Sequence, residues 1–123
     1  MPFTCTVHDR LVCVAWREVV SREDLEVFAE EMPRIGRSLG FAPDVLHRFD
    51  AVTGFSFELT ETYHYARKQM LVPIPNPIRV ALVATTKEGE YLAHVFKTLT
   101  RLPNLEMHIF FEETNARRWL ARS

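Results

Sequence analysis

Apolar and polar positions along the chain recur at two spacings, alternate residues in some stretches and every third or fourth in others. Val80 to Ala84, entered through Arg79, is five apolar residues with no alternation, the pattern of a short strand covered on both faces. Phe3 to Val7 and Leu11 to Trp16 are two β-rich runs separated by His8-Asp9-Arg10, which predicts a hairpin. In the second run Val12, Val14 and Trp16 share one face and Leu11, Cys13 and Ala15 the other, so this strand also lies inside a sheet. Ser21 with Asp24 three residues on predicts a capped helix start, and Leu25, Phe28, Ala29 and Met32, extended by Ile35 and Leu39, form its buried stripe. Pro33 predicts a bend or a restart, and Gly36 and Gly40 weaken the tail. Asp44 to Asp50 reads as a third strand, with Val45, His47 and Phe49 on one face. Leu46, Arg48 and Asp50 lie on the other, and these polar positions predict that part of one sheet face is open.

Val52-Thr53-Gly54 reads as a turn into a second helix, from about Ser56 to Leu71, with Phe55, Leu59, Tyr63, Ala66 and Met70 inward. The stiff Pro73-Ile74-Pro75-Asn76-Pro77 linker returns the chain to the Arg79–Ala84 strand. Thr85 with Glu88 resembles a capping box for a third helix whose inner face is Leu92, Val95, Phe96, Leu99 and Leu102, and Pro103 ends it. Leu105, Met107, Ile109 and Phe111 alternate with Glu106, His108 and Phe110 as in an edge strand, and a last helix from about Glu113 carries Ala116, Trp119 and Leu120. The order β β α β α β α β α predicts an α/β domain spanning residues 1–123. It would have an N-terminal hairpin, right-handed crossovers, a mostly parallel sheet of about five strands and four helices.

At 123 residues, 47% hydrophobic and 25% charged, the chain suits one domain with one core. Its formal charge of -1, with acids and bases interspersed, gives no broad footprint for nucleic acid. The first residues show no basic region followed by an apolar run, and no stretch approaches the ~20 apolar residues of a membrane span, so the chain reads as cytoplasmic. Cys5 and Cys13 are too few for a disulfide framework and lack zinc spacing. With the hairpin loop centred on Asp9 they fall opposite each other, which leaves two readings, a cross-strand disulfide or, as cytosolic chemistry favours, two packed thiols.

The pattern offers no cofactor or metal motif and no catalytic one in the setting it needs. Gly36-Arg37-Ser38-Leu39-Gly40 has the Gly-x-Ser-x-Gly spacing but falls in the tail of a predicted helix rather than at a strand-to-helix turn, Ser21 and Ser56 lie in no such context, and four glycines make no phosphate loop. His64 has Glu61 before and Lys68 after it at helical spacing, which reads as a solvated helix face; an acid–base role with Asp50 requires all three to share one cleft. His47 and His108 lie on strands and meet only if they share a sheet face. His94, with Lys97 and Arg101, reads as a solvated helix face or a small cationic patch. Several rings, Phe41, Phe49, Phe55, Phe57, Tyr63 and Tyr65, are expected near one end of the sheet, filling the core or lining an apolar pocket.

Arg79 to Ala84 with Thr85 and Gly89 before the third helix, Phe49 to Gly54, Ile109-Phe110-Phe111 and the ending Ala116 to Leu120 together resemble the SpoIIAA-like, or STAS-type, family. That is the fold of bacterial anti-sigma factor antagonists and of small STAS/SEC14-type proteins. The resemblance implies a non-enzymatic regulatory or protein-binding domain with no cofactor, expected as a homodimer. Its alternative is a carrier or sensor of a small apolar or lipid-like ligand. In those antagonists a serine in an Asp-Ser-x-Gly-like stretch at the start of the second helix is phosphorylated. The nearest match is Ser56, flanked here by Phe55 and Phe57, so it reads either as that switch or as a plain helix cap. The carboxyl ends of the parallel strands then give the candidate partner, ligand or switch region: Asp50, Thr53, Gly54, Phe55, Ser56, Phe57, Glu58, Thr85 and Thr86.

Overall fold

A computed structural model describes residues 3–57, 74–99 and 103–121. Along them run β1 (Phe3–His8), β2 (Leu11–Val20), α1 (Arg22–Leu39), β3 (Asp44–Phe55), β4 (Ile78–Val83), α2 (Lys87–Leu99), β5 (Leu105–Phe110) and α3 (Glu113–Ala121). The strands form one five-stranded sheet in the order β1-β2-β3-β4-β5. β1 is antiparallel to β2 and every other neighbour is parallel, the mixed α/β sheet expected from the pattern. The described residues hold three helices, and the helix expected from about Ser56 to Leu71 lies outside them beyond Phe57.

The hairpin turns one residue more tightly than a loop centred on Asp9. His8 pairs with Leu11, leaving Asp9 and Arg10 as the turn, with Asp9 at φ 55. A shift of one residue exchanges sheet faces. Cys5 therefore stands opposite Val14 and Cys13 opposite Thr6. The thiols pack into different halves of the core, and both are free. Burial, and secondarily Glu31, pushes the Cys5 thiol up to about 11, which keeps it protonated.

α1 starts as its sequence requires. Ser21 Oγ accepts from the Asp24 N–H at 3.2 Å, and Asp24 Oδ2 accepts from the Ser21 N–H at 2.7 Å. Of the bend or restart expected at Pro33, the restart does not occur: the helix continues through it to Leu39. The hydrogen bond that proline forfeits is outweighed by packing of Leu25, Phe28, Met32 and Ile35 on the sheet. Gly40, at φ 81, closes the helix by donating its N–H to Gly36 O at 2.9 Å. At α2 the cap is Thr86, not Thr85: Thr86 Oγ1 accepts from the Gly89 N–H at 3.0 Å. With glycine three residues after the cap, Glu88 closes no reciprocal box.

Strand alternation divides the core in two. Val12, Val14, Trp16, Val45, Phe49, Val80 and Leu82 face α1 and α2, meeting Leu25, Leu92 and Ala93. Leu46, Ala81 and Val83 face the other way and meet Ala116 and Leu120 of α3. The larger half is aromatic. His47 is only 3% exposed and lies among the rings of Trp16, Phe28, Phe49 and Phe96. Trp16 Nε1–H donates to His47 Nδ1 at 3.0 Å, which leaves the proton of the neutral imidazole on Nε2. Burial lowers the His47 pKa from 6.5 to about 3. His108 lies on the opposite face, exposed and edge-on to Trp119 at 4.8 Å, so the two histidines do not meet.

Gly89 is where α2 comes closest to β3. A Cβ there would lie 2.6 Å from Phe49 O and 3.0 Å from both Phe49 Cβ and Thr86 Oγ1. Gly89→Ala should therefore lose about 1–3 kcal/mol of stability in urea denaturation through overpacking, although alanine is favoured over glycine by about 1 kcal/mol inside a helix. His47 supplies a second test. Because its folded pKa lies below its unfolded value, its stabilising contribution is complete above about pH 6.5 and is lost as the pH falls towards about 3. Urea unfolding should lose about 2 kcal/mol between about pH 7 and 5, and His47→Gln, which does not titrate, should flatten that slope.

Candidate functional site

β2 and β3 outlast the rest of the sheet. β3 pairs with β4 only over Val45–Arg48, opposite Val80–Val83, whereas its pairing with β2 continues to Val20 and Phe55. The third strand was expected to end at Asp50 and to turn at Val52 to Gly54; it continues through Phe55. The extra length from Phe49 forms an arm of about 20 Å beyond the last β4 pair. Val20 and Val52 are buried and root the arm in the aromatic half of the core. Two register shifts, between Ala15 and Arg17 and between Glu18 and Val19, twist it. Ser56 remains tied to it, donating its N–H to Val20 O at 2.9 Å.

The end of the arm is aromatic. Phe55 stacks on Tyr91 of α2 with centroids 4.9 Å apart and planes 8° from parallel, and Phe57 lies 5.5 Å from Phe55. Tyr91 is 44% exposed and Val19, on β2, 52%. Glu18, Asp50, Ala51, Thr53 and Ser56 are exposed along the arm and at its end. Of the residues expected at the carboxyl ends of the strands, Asp50, Thr53, Gly54, Phe55, Ser56 and Phe57 share this arm and its end. Thr85 is exposed just after β4, Thr86 is committed to capping α2, and Glu58 lies outside the described residues. Phe49 and Phe41 do not join the ring cluster. Phe49 is in the core, and Phe41 lies at the opposite end of the sheet beneath the Arg10 guanidinium, 4.0 Å from its ring centroid. Tyr63 and Tyr65 lie outside the described residues.

Two features of the arm escaped the sequence pattern. Val19 and Glu18 look like the frayed end of a strand that should stop at Trp16, because bulges break the alternation that marks strand continuation. Tyr91 carried a faint signal: it is an aromatic residue off the Leu92, Val95, Phe96 stripe and so on the wet side of its helix.

One group of polar side chains holds α3 on the sheet. Arg48 Nη2 donates to Glu113 Oε2 at 2.9 Å, while its buried Nε lies 2.6 Å from Oε1 without hydrogen-bond alignment. Arg117 Nε donates to the same Oε2 at 2.7 Å, and its Nη2 lies 3.8 Å from Cys13 Sγ. The Arg48 hydrogen bond holds the Glu113 carboxyl below the usual carboxylate range, with burial opposing and Arg117 adding to the shift. At the far end of the helix Arg79 Nη1 donates to Trp119 O at 2.6 Å, and its guanidinium lies 5.0 Å from the centre of the Trp119 ring. His94 lies 3.8 Å from Glu90 on an exposed helix face. His64 and Glu61, the residues needed beside Asp50 for acid–base work, lie outside the described residues. Among the described residues no group of three or more His, Cys, Asp or Glu side chains could hold a metal ion, and no helix is long and apolar enough to cross a membrane.

The chain matches no protein-family model and no curated protein. It is similar to solved structures over nearly its full length. One is an uncharacterized protein of the DUF3478 family with a SpoIIAA-like fold from Shewanella loihica PV-4, at 17% identity and a TM-score of 0.56, covering 96% of this chain and 91% of that one. Another is the anti-sigma factor antagonist SpoIIAA in its unphosphorylated form, at 11% identity and a TM-score of 0.51, covering 95% of this chain and 96% of that one. These likenesses establish that the chain has a SpoIIAA-like fold.

Proposed function

We propose that this domain is a non-enzymatic regulatory module that binds a protein partner at the arm formed by β2 and β3. The observation that carries the reading is the aromatic end of the arm, where Tyr91 is open to solvent against the stacked Phe55, at the carboxyl ends of the parallel strands where open α/β sheets recognise their ligands. Side chains rooted in the core beneath it keep the surface in place, so docking costs little ordering. The solved SpoIIAA structure, whose fold this chain shares, is that of an anti-sigma factor antagonist, and the proposal extends only its general kind of work to this chain. Ser56, exposed at the end of the arm, is where a phosphate would change that surface most directly. A carrier of an apolar ligand is less well supported, since the rings it would need divide between the core, the arm and the opposite end of the sheet.

Photo-crosslinking in the native host tests the reading. Benzoylphenylalanine placed at Thr53 or Tyr91 should yield a discrete adduct with another protein, or with a second copy of this chain, whereas the same probe at Arg10, at the opposite end of the sheet, should not. Adducts from both ends alike, or from Arg10 alone, would contradict it.

A further inference from the structure

β5 is an edge strand whose outer side is unpaired among the described residues. It holds no proline or lysine, and its pairing with β4 runs from Leu105 to Phe110 without a bulge, so the usual devices that blunt an open edge are missing. Of the described helices α2 lies chiefly over β3 and α3 chiefly over β4, and no residue of β5 is fully buried. Two hydrogen bonds fix which backbone groups face outward. Ile78 N–H donates to Asn104 O at 2.8 Å and Ala84 N–H to Phe110 O at 3.0 Å. Bonding residues alternate along a parallel ladder, so Glu106 and His108 also turn their groups towards β4, while Leu105, Met107 and Ile109 present theirs to the open side. The side chains alternate in step. Leu105, Met107 and Ile109 pack partly on the aromatic half of the core, and Glu106, His108 and Phe110 lie on the α3 face.

This sequence is complementary to an antiparallel copy of itself in one register. With a twofold axis at Met107, Leu105 stands opposite Ile109 of the second copy and Met107 opposite its own counterpart, so every outward backbone group of these residues enters a bonded pair. Glu106 then falls opposite His108 in the non-hydrogen-bonded pair, where side chains approach most closely. An axis at Glu106 would oppose two carboxylates. One at His108 would oppose two imidazoles and carry Leu105 past the strand end. The side chains are available: Glu106 is half exposed and lies 3.9 Å from Arg79, whose Nη1 is committed to Trp119 O. The exposed His108 imidazole makes no hydrogen bond among the described residues.

We propose that β5 pairs with β5 of a second copy about a twofold axis at Met107, joining two sheets into one and setting a Glu106 carboxylate against a His108 imidazole on each side of the axis. The interface is isologous. It gives a role to Phe111, which is 63% exposed just past the end of β5 and falls beside the Pro103–Asn104 turn of the second copy. This surface is separate from the arm, and the inference does not depend on the docking reading.

Sedimentation equilibrium of the full chain up to about 1 mM, the range of a weak association, should show a dimer. Glu106→Lys, which sets a cation against His108, should raise the dissociation constant roughly tenfold. Glu106→His combined with His108→Glu should restore it, since donor and acceptor merely exchange places across the axis. A second measurement fixes the register. In a chain carrying Cys5→Ser and Cys13→Ser, an equal mixture of Glu106→Cys and His108→Cys molecules should oxidise to a covalent dimer, because opposed residues of such a pair lie about 4.5 Å apart at Cα, within disulfide reach. Either variant alone should not, nor should a mixture of Thr4→Cys and Thr6→Cys molecules on the β1 edge. A monomer throughout, a dimer indifferent to Glu106→Lys, an exchange variant no tighter than Glu106→Lys, or crosslinks from the β1 mixture instead would overturn the inference.

Discussion

Each parallel connection in this sheet moves one strand in the same direction, from β2 to β3, to β4 and to β5. Right-handed crossovers that all step the same way deliver their helices to the same face. α1 and α2 accordingly share one core, and of the described helices only α3, which follows the last strand and crosses nothing, folds onto the other face. The asymmetry sets the character of both halves. The crossover side receives the large rings and the buried Trp16–His47 hydrogen bond. The other side is covered by a helix of nine residues that buries only Ala116 and Leu120 fully. Arg48 and Arg117 clamp Glu113 at the start of that helix, and Arg79 holds Trp119 at its end.

The arm follows from the same geometry. β4 stops at Val83 and the chain turns into α2 almost at once, because Thr86 caps the helix and Gly89 lets its backbone approach the Phe49 carbonyl. Where β4 leaves, α2 closes over β3, and β2 with β3 continues as a two-stranded extension that ends against Tyr91. A pair of strands is weakly stable by itself, and this one is anchored by Val20 and Val52 in the core below.

Regular periodicity made most of the fold legible in the sequence. Val80 to Ala84 announced a doubly covered strand, Leu25, Phe28 and Met32 a helix face, and Ala116, Trp119 and Leu120 a docking helix, since each pattern reflects burial on a repeating geometry. Irregular backbone hid the rest. A two-residue hairpin turn put Cys5 on the opposite face from Cys13. Two extra residues on β3, one opposite Trp16 and one between the partners of Glu18 and Val19, broke its alternation and concealed five further residues of β3, so that Val52 to Gly54 read as a turn. Pro33 sits in a helix because tertiary packing outweighs its local preference. At the candidate site, Asp50, Thr53 and Phe55 were proposed from fold logic and Ser56 from the family resemblance. Glu18 and Val19 were not, because a strained bulge has no sequence signature when the residue is not glycine.

The central structural claim is that β3 remains paired with β2 through Phe55, which converts an expected turn into a two-stranded arm. Nuclear Overhauser contacts across the strands, measured together with hydrogen exchange, test it most directly. The account predicts backbone contacts between Glu18 and Val52 and between Val20 and Phe55, with a Ser56 amide protected by its bond to the Val20 carbonyl. A Ser56 amide exchanging as in an open chain, with cross-strand contacts ending at Asp50, would contradict it and remove the surface on which the functional reading stands.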